Sequence, residues 1–185
     1  MIPIEKRSQI MDVSHRILFN KQTIEQRVAE LAQDISRDYA GKEVVAICIL
    51  KGALVFFTDL VRCISLPVTV DFIQASSYGS GTVSSRNLVI SKDISTDIRG
   101  RHVLLIDTII DTGETMACLY KRFSEQGPAS LAIVGLLDKK PRRTTEVPIT
   151  YKGFEIPDLF VVGYGMDLGE KYRNLPYIAV LHTAG

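Results

Sequence analysis

A chain of 185 residues, 46% hydrophobic and 23% charged, has the balance of a folded globular domain and enough length to bury a core. Its formal net charge of +1 gives no global field to draw nucleic acid or an anionic membrane, so any phosphate must be held by a local site. Met1-Ile-Pro-Ile-Glu-Lys-Arg7 lacks the apolar stretch of a signal peptide, and no run approaches the roughly 18–20 apolar residues of a spanning helix.

From Thr23 to Ala40, Ile24, Val28, Leu31, Ile35 and Tyr39 recur at helical spacing. Thr23 with Gln26 predicts a capping box, and Gly41 a stop. Val44–Leu50 is a continuous apolar run of strand length, with Cys48 as a small core residue. A helix over Ala53–Arg62 and a strand over Val68–Ile73 follow. Ala75–Asn87 reads as a mobile loop, longer than most connections and so functional or disordered. Strands are predicted at Leu88–Ser91, His102–Asp107, Ser130–Leu137, Leu159–Val162 and Tyr177–Leu181, with a helix at Gly113–Gln126 stopped by Gly127-Pro128. Buried strands alternating with helices predict one α/β domain over residues 1–185, built on a mainly parallel central sheet flanked by helices.

The cysteines Cys48, Cys63 and Cys118 are odd in number and outside any CxxC, which predicts neither a disulfide framework nor a zinc site and suits a reducing, cytoplasmic setting. His15, His102 and His182 share no metal-ligand spacing. His102 reads as the start of a strand, the other two as surface.

The most informative stretch is Val103–Thr115, VLLIDTIIDTGET. An apolar strand runs to Asp107, and Asp111-Thr112-Gly113 opens a helix. Amides at a helix start, with a glycine that permits close approach, suit a phosphate, and Thr112 and Thr115 add hydroxyls. An isolated Asp-Thr-Gly is as often a plain N-cap, and no GK[ST] follows as in a Walker loop. Taken whole, the stretch resembles the phosphoribosyl-diphosphate motif of type I phosphoribosyltransferases. Ile49-Leu-Lys-Gly52, Leu136-Leu-Asp-Lys139 and Gly153–Asp167 narrow the resemblance to the hypoxanthine-guanine phosphoribosyltransferases, collinear from about Ile47 to Arg173.

The resemblance implies the fold of that family with a small base-binding hood, and transfer of a 5-phosphoribosyl group to a 6-oxopurine. It places the sugar's 5′-phosphate on Asp111, Thr112, Gly113, Glu114 and Thr115, with Asp111 facing purine N7 as general base. Lys139 would reach O6, Phe160 would stack on the base, and the Val161 backbone would read its edge. Read alone, Lys139 is an ordinary surface lysine beside Lys140, Arg142 and Arg143, and Phe160 is plain core. Asp167 would ligate Mg²⁺, and Arg173 would approach pyrophosphate. Lys51 and Gly52 would cradle pyrophosphate after a bond that is often cis in the family. Ser77 and Tyr78 would close over the reacting centre and exclude water. Before the phosphate loop the family carries two adjacent acids, where this chain has Asp107 and Thr108. Thr108 can hydrogen-bond a ribose hydroxyl but brings no charge, and an acid restored there is expected to strengthen the grip on the sugar diphosphate at high Mg²⁺ and to help less, or harm, at low Mg²⁺. The implied partners are small-molecule substrates, with no nucleic acid and no membrane, in a homodimer or homotetramer. A competing reading, a sugar-diphosphate sensor of the same fold, predicts an added DNA-binding segment or a basic face. The chain has neither.

Overall fold

The computed structural model describes residues 15–77 and 88–181. Strand β1 (His15–Phe19) leads to helix α1 (Lys21–Asp38), strand β2 (Val44–Leu50) and helix α2 (Leu54–Cys63). Strands β3 (Val68–Ser77), β4 (Leu88–Lys92) and β5 (His102–Ile110) precede helix α3 (Glu114–Ser124). Strand β6 (Ser130–Asp138), a 3-10 turn (Lys140–Arg142), and strands β7 (Ile149–Glu155), β8 (Val161–Val162) and β9 (Ile178–Leu181) complete the chain.

The large sheet has the order β4-β3-β2-β5-β6-β7. All its pairs are parallel except β3 with β4. Burial on both faces explains the unbroken apolar runs. Along β2, Val44, Ala46 and Cys48 join a core with α1 and α2, while Val45, Ile47 and Ile49 pack on the side of α3. Strand β5 alternates in the same way, with Leu104 and Ile106 on one side and Val103 and Leu105 on the other. Phe56 and Leu60 fill the first core, and Leu119 and Phe123 the second.

A second sheet, β1-β9-β8, is small and antiparallel. It joins the beginning of the described chain to its end, with His15 opposite Leu181. Its strand β8 holds Val161, the residue whose backbone the resemblance expects at the edge of the base.

Several boundaries differ from the sequence reading. Helix α1 begins two residues earlier, because Asn20 is its cap: the Asn20 side chain accepts from the Thr23 amide at 2.9 Å and the Thr23 hydroxyl at 3.1 Å. Thr23 is thus a donor inside the first turn, and the Thr23–Gln26 capping box does not form. Strand β5 runs past Asp107 to Ile110, held by β6 as far as the Ile110–Asp138 pair. Two strands, β1 and β7, went unread: each is short, and Ile149–Glu155 mixes lysine, glycine and glutamate with its apolar residues. The strand read at Leu159–Val162 shrinks to two residues.

Candidate active site

A cleft of about 260 Å³ opens beyond the carboxyl ends of β2 and β5, where an open α/β sheet receives ligands. Asp107, Asp111, Thr112, Gly113 and Thr115 line one side, and Leu50 and Gly52 another. The phosphate-loop stretch and the Lys51-Gly52 turn therefore face one space. Gly113 has φ +86°, and a Cβ there would lie 2.1 Å from the Thr145 carbonyl oxygen and 2.7 Å from Arg143 Cδ. Only glycine fits both the conformation and the contact. Glu114 begins α3, and its amide donates to the Thr112 hydroxyl at 3.4 Å.

The Leu50–Lys51 peptide is cis. Behind it, Thr108 is fully buried, and its hydroxyl donates to the Gly52 carbonyl at 3.0 Å. Thr108, expected at the ribose, is absent from the walls of the cleft and braces the turn that forms them. From the other side comes Gly165, at φ +97°, where a Cβ would lie 2.2 Å from the same Gly52 oxygen. The loop after β8 is fastened by Arg173, which donates to the Gly165 carbonyl at 2.8 Å and pairs with Asp167 at 2.8 Å and Glu170 at 3.2 Å. Lys51 Nζ reaches Glu170 at 3.2 Å. Asp167 also accepts the Glu170 amide at 2.8 Å.

On the side expected to receive the base, Lys139 follows β6 directly and its side chain is only 7% exposed, so it is not the solvated lysine that composition favours. Its ammonium lies 3.7 Å from Asp111 Oδ2 and 3.7 Å from Asp158 Oδ1, both longer than a hydrogen bond. Lys140, its neighbour, is exposed. Arg142 Nε approaches Asp111 Oδ1 at 3.4 Å. That oxygen is buried and takes no hydrogen bond from the described residues. Phe160 is 51% exposed, which removes the plain-core reading, whereas Val161 is buried in β8. Ser77 ends β3 opposite Leu88, and Tyr78 lies outside the described residues.

The electrostatics single out Asp107. Burial pushes its carboxyl up to about 7, against the opposing amides of Thr108 and Ile109. Burial, and then the Asp107 charge, push the Cys48 thiol up to about 12, so Cys48 is an inert core group.

This geometry has close counterparts among known proteins. The phosphoribosyl transferase domain model matches residues 15–168. A hypoxanthine-guanine phosphoribosyltransferase of Streptococcus thermophilus is 43% identical over 166 residues, 90% of this chain and 92% of that protein. A hypoxanthine-guanine-xanthine phosphoribosyltransferase of Tritrichomonas foetus is 44% identical over 173 residues, covering 93% and 94%. The crystal structure of a hypoxanthine-guanine phosphoribosyltransferase from Bacillus anthracis superposes with a TM-score of 0.88 at 43% identity, over 92% of this chain and 100% of that one. The chain belongs to the hypoxanthine-guanine phosphoribosyltransferases.

Within this phosphoribosyltransferase, sequence reasoning passed over the charged segment after β6. Arg142, Arg143 and Asp158 surround Lys139 and the phosphate loop, but the two arginines read as ordinary surface charges and Asp158, within Gly153–Asp167, drew no role. The available signal was position. A run of cations placed directly after a largely apolar strand lies at the mouth of the sheet, where an open α/β sheet receives ligands.

Proposed function

We propose that this chain transfers the 5-phosphoribosyl group of phosphoribosyl diphosphate to hypoxanthine, and also to guanine, giving the purine nucleotide and pyrophosphate. The reaction forms a bond from purine nitrogen to ribose C1, breaks the bond from C1 to the pyrophosphate oxygen, and releases a proton from the base. The carrying observation is Asp111 Oδ1, a buried acceptor that takes no hydrogen bond from the described residues, beside the turn into α3 and 3.4 Å from Arg142. An acceptor so placed takes the N7 proton while the loop from Thr112 to Thr115 holds the sugar phosphate. Lys139 donates to O6 of the base. A 6-amino group would bring hydrogens to the same ammonium, so 6-oxopurines are selected. Half-exposed Phe160 offers its face to the base, and the Val161 backbone reads the base's edge. Lys51, Gly52 and Arg173 receive pyrophosphate, with Ser77 and Tyr78 covering the centre.

Asp167 fits a magnesium site. It is a partly exposed carboxylate, and a hard cation of this kind takes one or two protein carboxylates and completes its shell with substrate oxygens. No group of three or more acidic, histidine or cysteine side chains that could enclose a metal lies among the described residues. When bound, Mg²⁺ would neutralise charge on the diphosphate. A cytoplasmic homodimer or homotetramer completes the reading. Two exposed free cysteines, Cys63 and Cys118, suit a reducing compartment, and no described helix is long and apolar enough to cross a membrane.

The test is a steady-state assay with hypoxanthine, guanine, xanthine and adenine, run with Mg²⁺ and with excess chelator. Turnover of hypoxanthine and guanine, little of adenine, and loss of activity in chelator restored by Mg²⁺ are expected. Adenine used as well as hypoxanthine overturns the base assignment, and full activity in chelator overturns the metal.

A further inference from the structure

Behind the phosphate loop, three consecutive carbonyls are gripped from one side. The Ile110 carbonyl accepts from the Lys139 amide at 3.0 Å and from Arg143 Nη2 at 3.1 Å. The Asp111 carbonyl accepts from Arg143 Nε at 3.1 Å. The Thr112 carbonyl accepts from the amides of Thr144 and Thr145, both at 3.0 Å, and from the Thr144 hydroxyl at 3.3 Å. Across a trans peptide, the C=O of one residue and the N–H of the next point in opposite directions. Drawing back the carbonyls of residues 110–112 therefore turns the amides of Asp111, Thr112 and Gly113 forward. Three successive amides facing one way make a concave anion site.

Arg143 is the centre of this grip. Its side chain is 5% exposed and pairs with Asp138, whose carboxylate is 8% exposed and also receives Lys152 at 3.3 Å. A planar guanidinium reaches two neighbouring carbonyls and a carboxylate together, which a single ammonium cannot do. Arg143 itself is not among the residues that wall the cleft. Its Cδ and the Thr145 carbonyl lie against Gly113, so the loop and the segment behind it move as one block.

We propose that Arg143 is a positioning residue for phosphate monoester binding. It touches no substrate, and it aims the loop amides by holding their carbonyls back. This inference rests on the reading under Proposed function that residues 111–115 receive the sugar phosphate.

The experiment compares wild type with Arg143→Lys, which keeps a cation beside Asp138 and gives up the fork. Binding of inosine monophosphate and of pyrophosphate is measured separately, together with thermal melting and the kcat and KM for phosphoribosyl diphosphate. Arg143→Lys is expected to weaken inosine monophosphate, and to raise that KM, by about ten-fold or more. Pyrophosphate, held at Lys51 and Gly52, should change less than about two-fold, and kcat at saturation should change little. Unchanged nucleotide binding in a folded Arg143→Lys protein overturns the proposal, as does equal loss for both ligands. If that variant does not fold, Thr144→Val, which removes an exposed hydroxyl from the Thr112 carbonyl, must show the same selective loss in smaller degree. No loss there overturns it. A wild type that binds neither ligand overturns the functional reading and the inference with it, whereas a wild type that binds beside an insensitive variant sinks the inference alone.

Discussion

At the residue scale, two side chains change character between sequence and structure. Lys139 reads as one of several cations after β6, and Leu136-Leu-Asp-Lys139 carried its choice over Lys140 only by resemblance. The structure buries Lys139 between Asp111 and Asp158 and leaves Lys140 in solvent. Lys139→Ala should cost roughly 1.5–3 kcal/mol of discrimination between hypoxanthine and adenine, about ten- to a hundred-fold in the ratio of kcat/KM. Lys140→Ala should leave the ratio alone, and the reverse pattern would move the role to Lys140. Asp107 gives a prediction in pH. Burial raises its carboxyl from an ordinary 3.8 to about 7. Between those values the folded protein holds a proton that the unfolded chain has lost, so stability falls as pH rises through that window. Asp107→Asn abolishes the titration. The melting temperature of the variant minus that of wild type should therefore climb between pH 4 and pH 8, by about 4 °C or more, and stay level below pH 4. A difference independent of pH would show that the cleft wall does not hold the carboxyl protonated.

At the element scale, the turn after β2 is fixed by its neighbours. Gly52 offers one carbonyl oxygen, which Thr108 of β5 holds at 3.0 Å and Gly165 of the hood loop crowds. The departure from two adjacent acids thus has a local explanation: in this chain the second position braces the turn after β2. The expectation that an acid restored at position 108 improves the grip on the sugar gives way to its opposite. Thr108→Asp would bury a carboxylate facing a carbonyl oxygen, and it should lower both the melting temperature and pyrophosphate affinity at any Mg²⁺ concentration. Thr108→Val, which keeps the shape and removes the donor, should cost about 1–3 kcal/mol of stability and weaken pyrophosphate while sparing hypoxanthine selectivity. Calorimetric melting and pyrophosphate titration of the two variants check this. A stable Thr108→Asp protein with tighter sugar-diphosphate binding would return position 108 to the ribose.

At the scale of the whole molecule, legibility followed burial. Val44–Leu50 was read to the residue because both of its faces are covered, and a doubly buried strand leaves an unbroken apolar run. The start of α1 was misplaced because Asn20 and Thr23 are both good caps, and only the fold shows which side chain accepts. The turn into α3 was legible because a glycine and hydroxyls before a helix form a local pattern. Arg143 was not, because its partners Asp138, Ile110 and Asp111 meet it only after β5 and β6 lie side by side. Two strands of the small sheet, β8 and β9, were legible as apolar runs, whereas β1 was not, since its partner β9 lies at the far end of the described chain.

That small sheet sets an order of assembly. During synthesis β1 emerges first and β9 last, yet each is the other's partner. Every strand of the large sheet, and with it the phosphate loop, is complete by Glu155. The small sheet must wait for Leu181 to leave the ribosome, holding β1 unpaired throughout. A nascent chain thus completes the turn into α3 before its small sheet can close, and the two sheets are born apart in time.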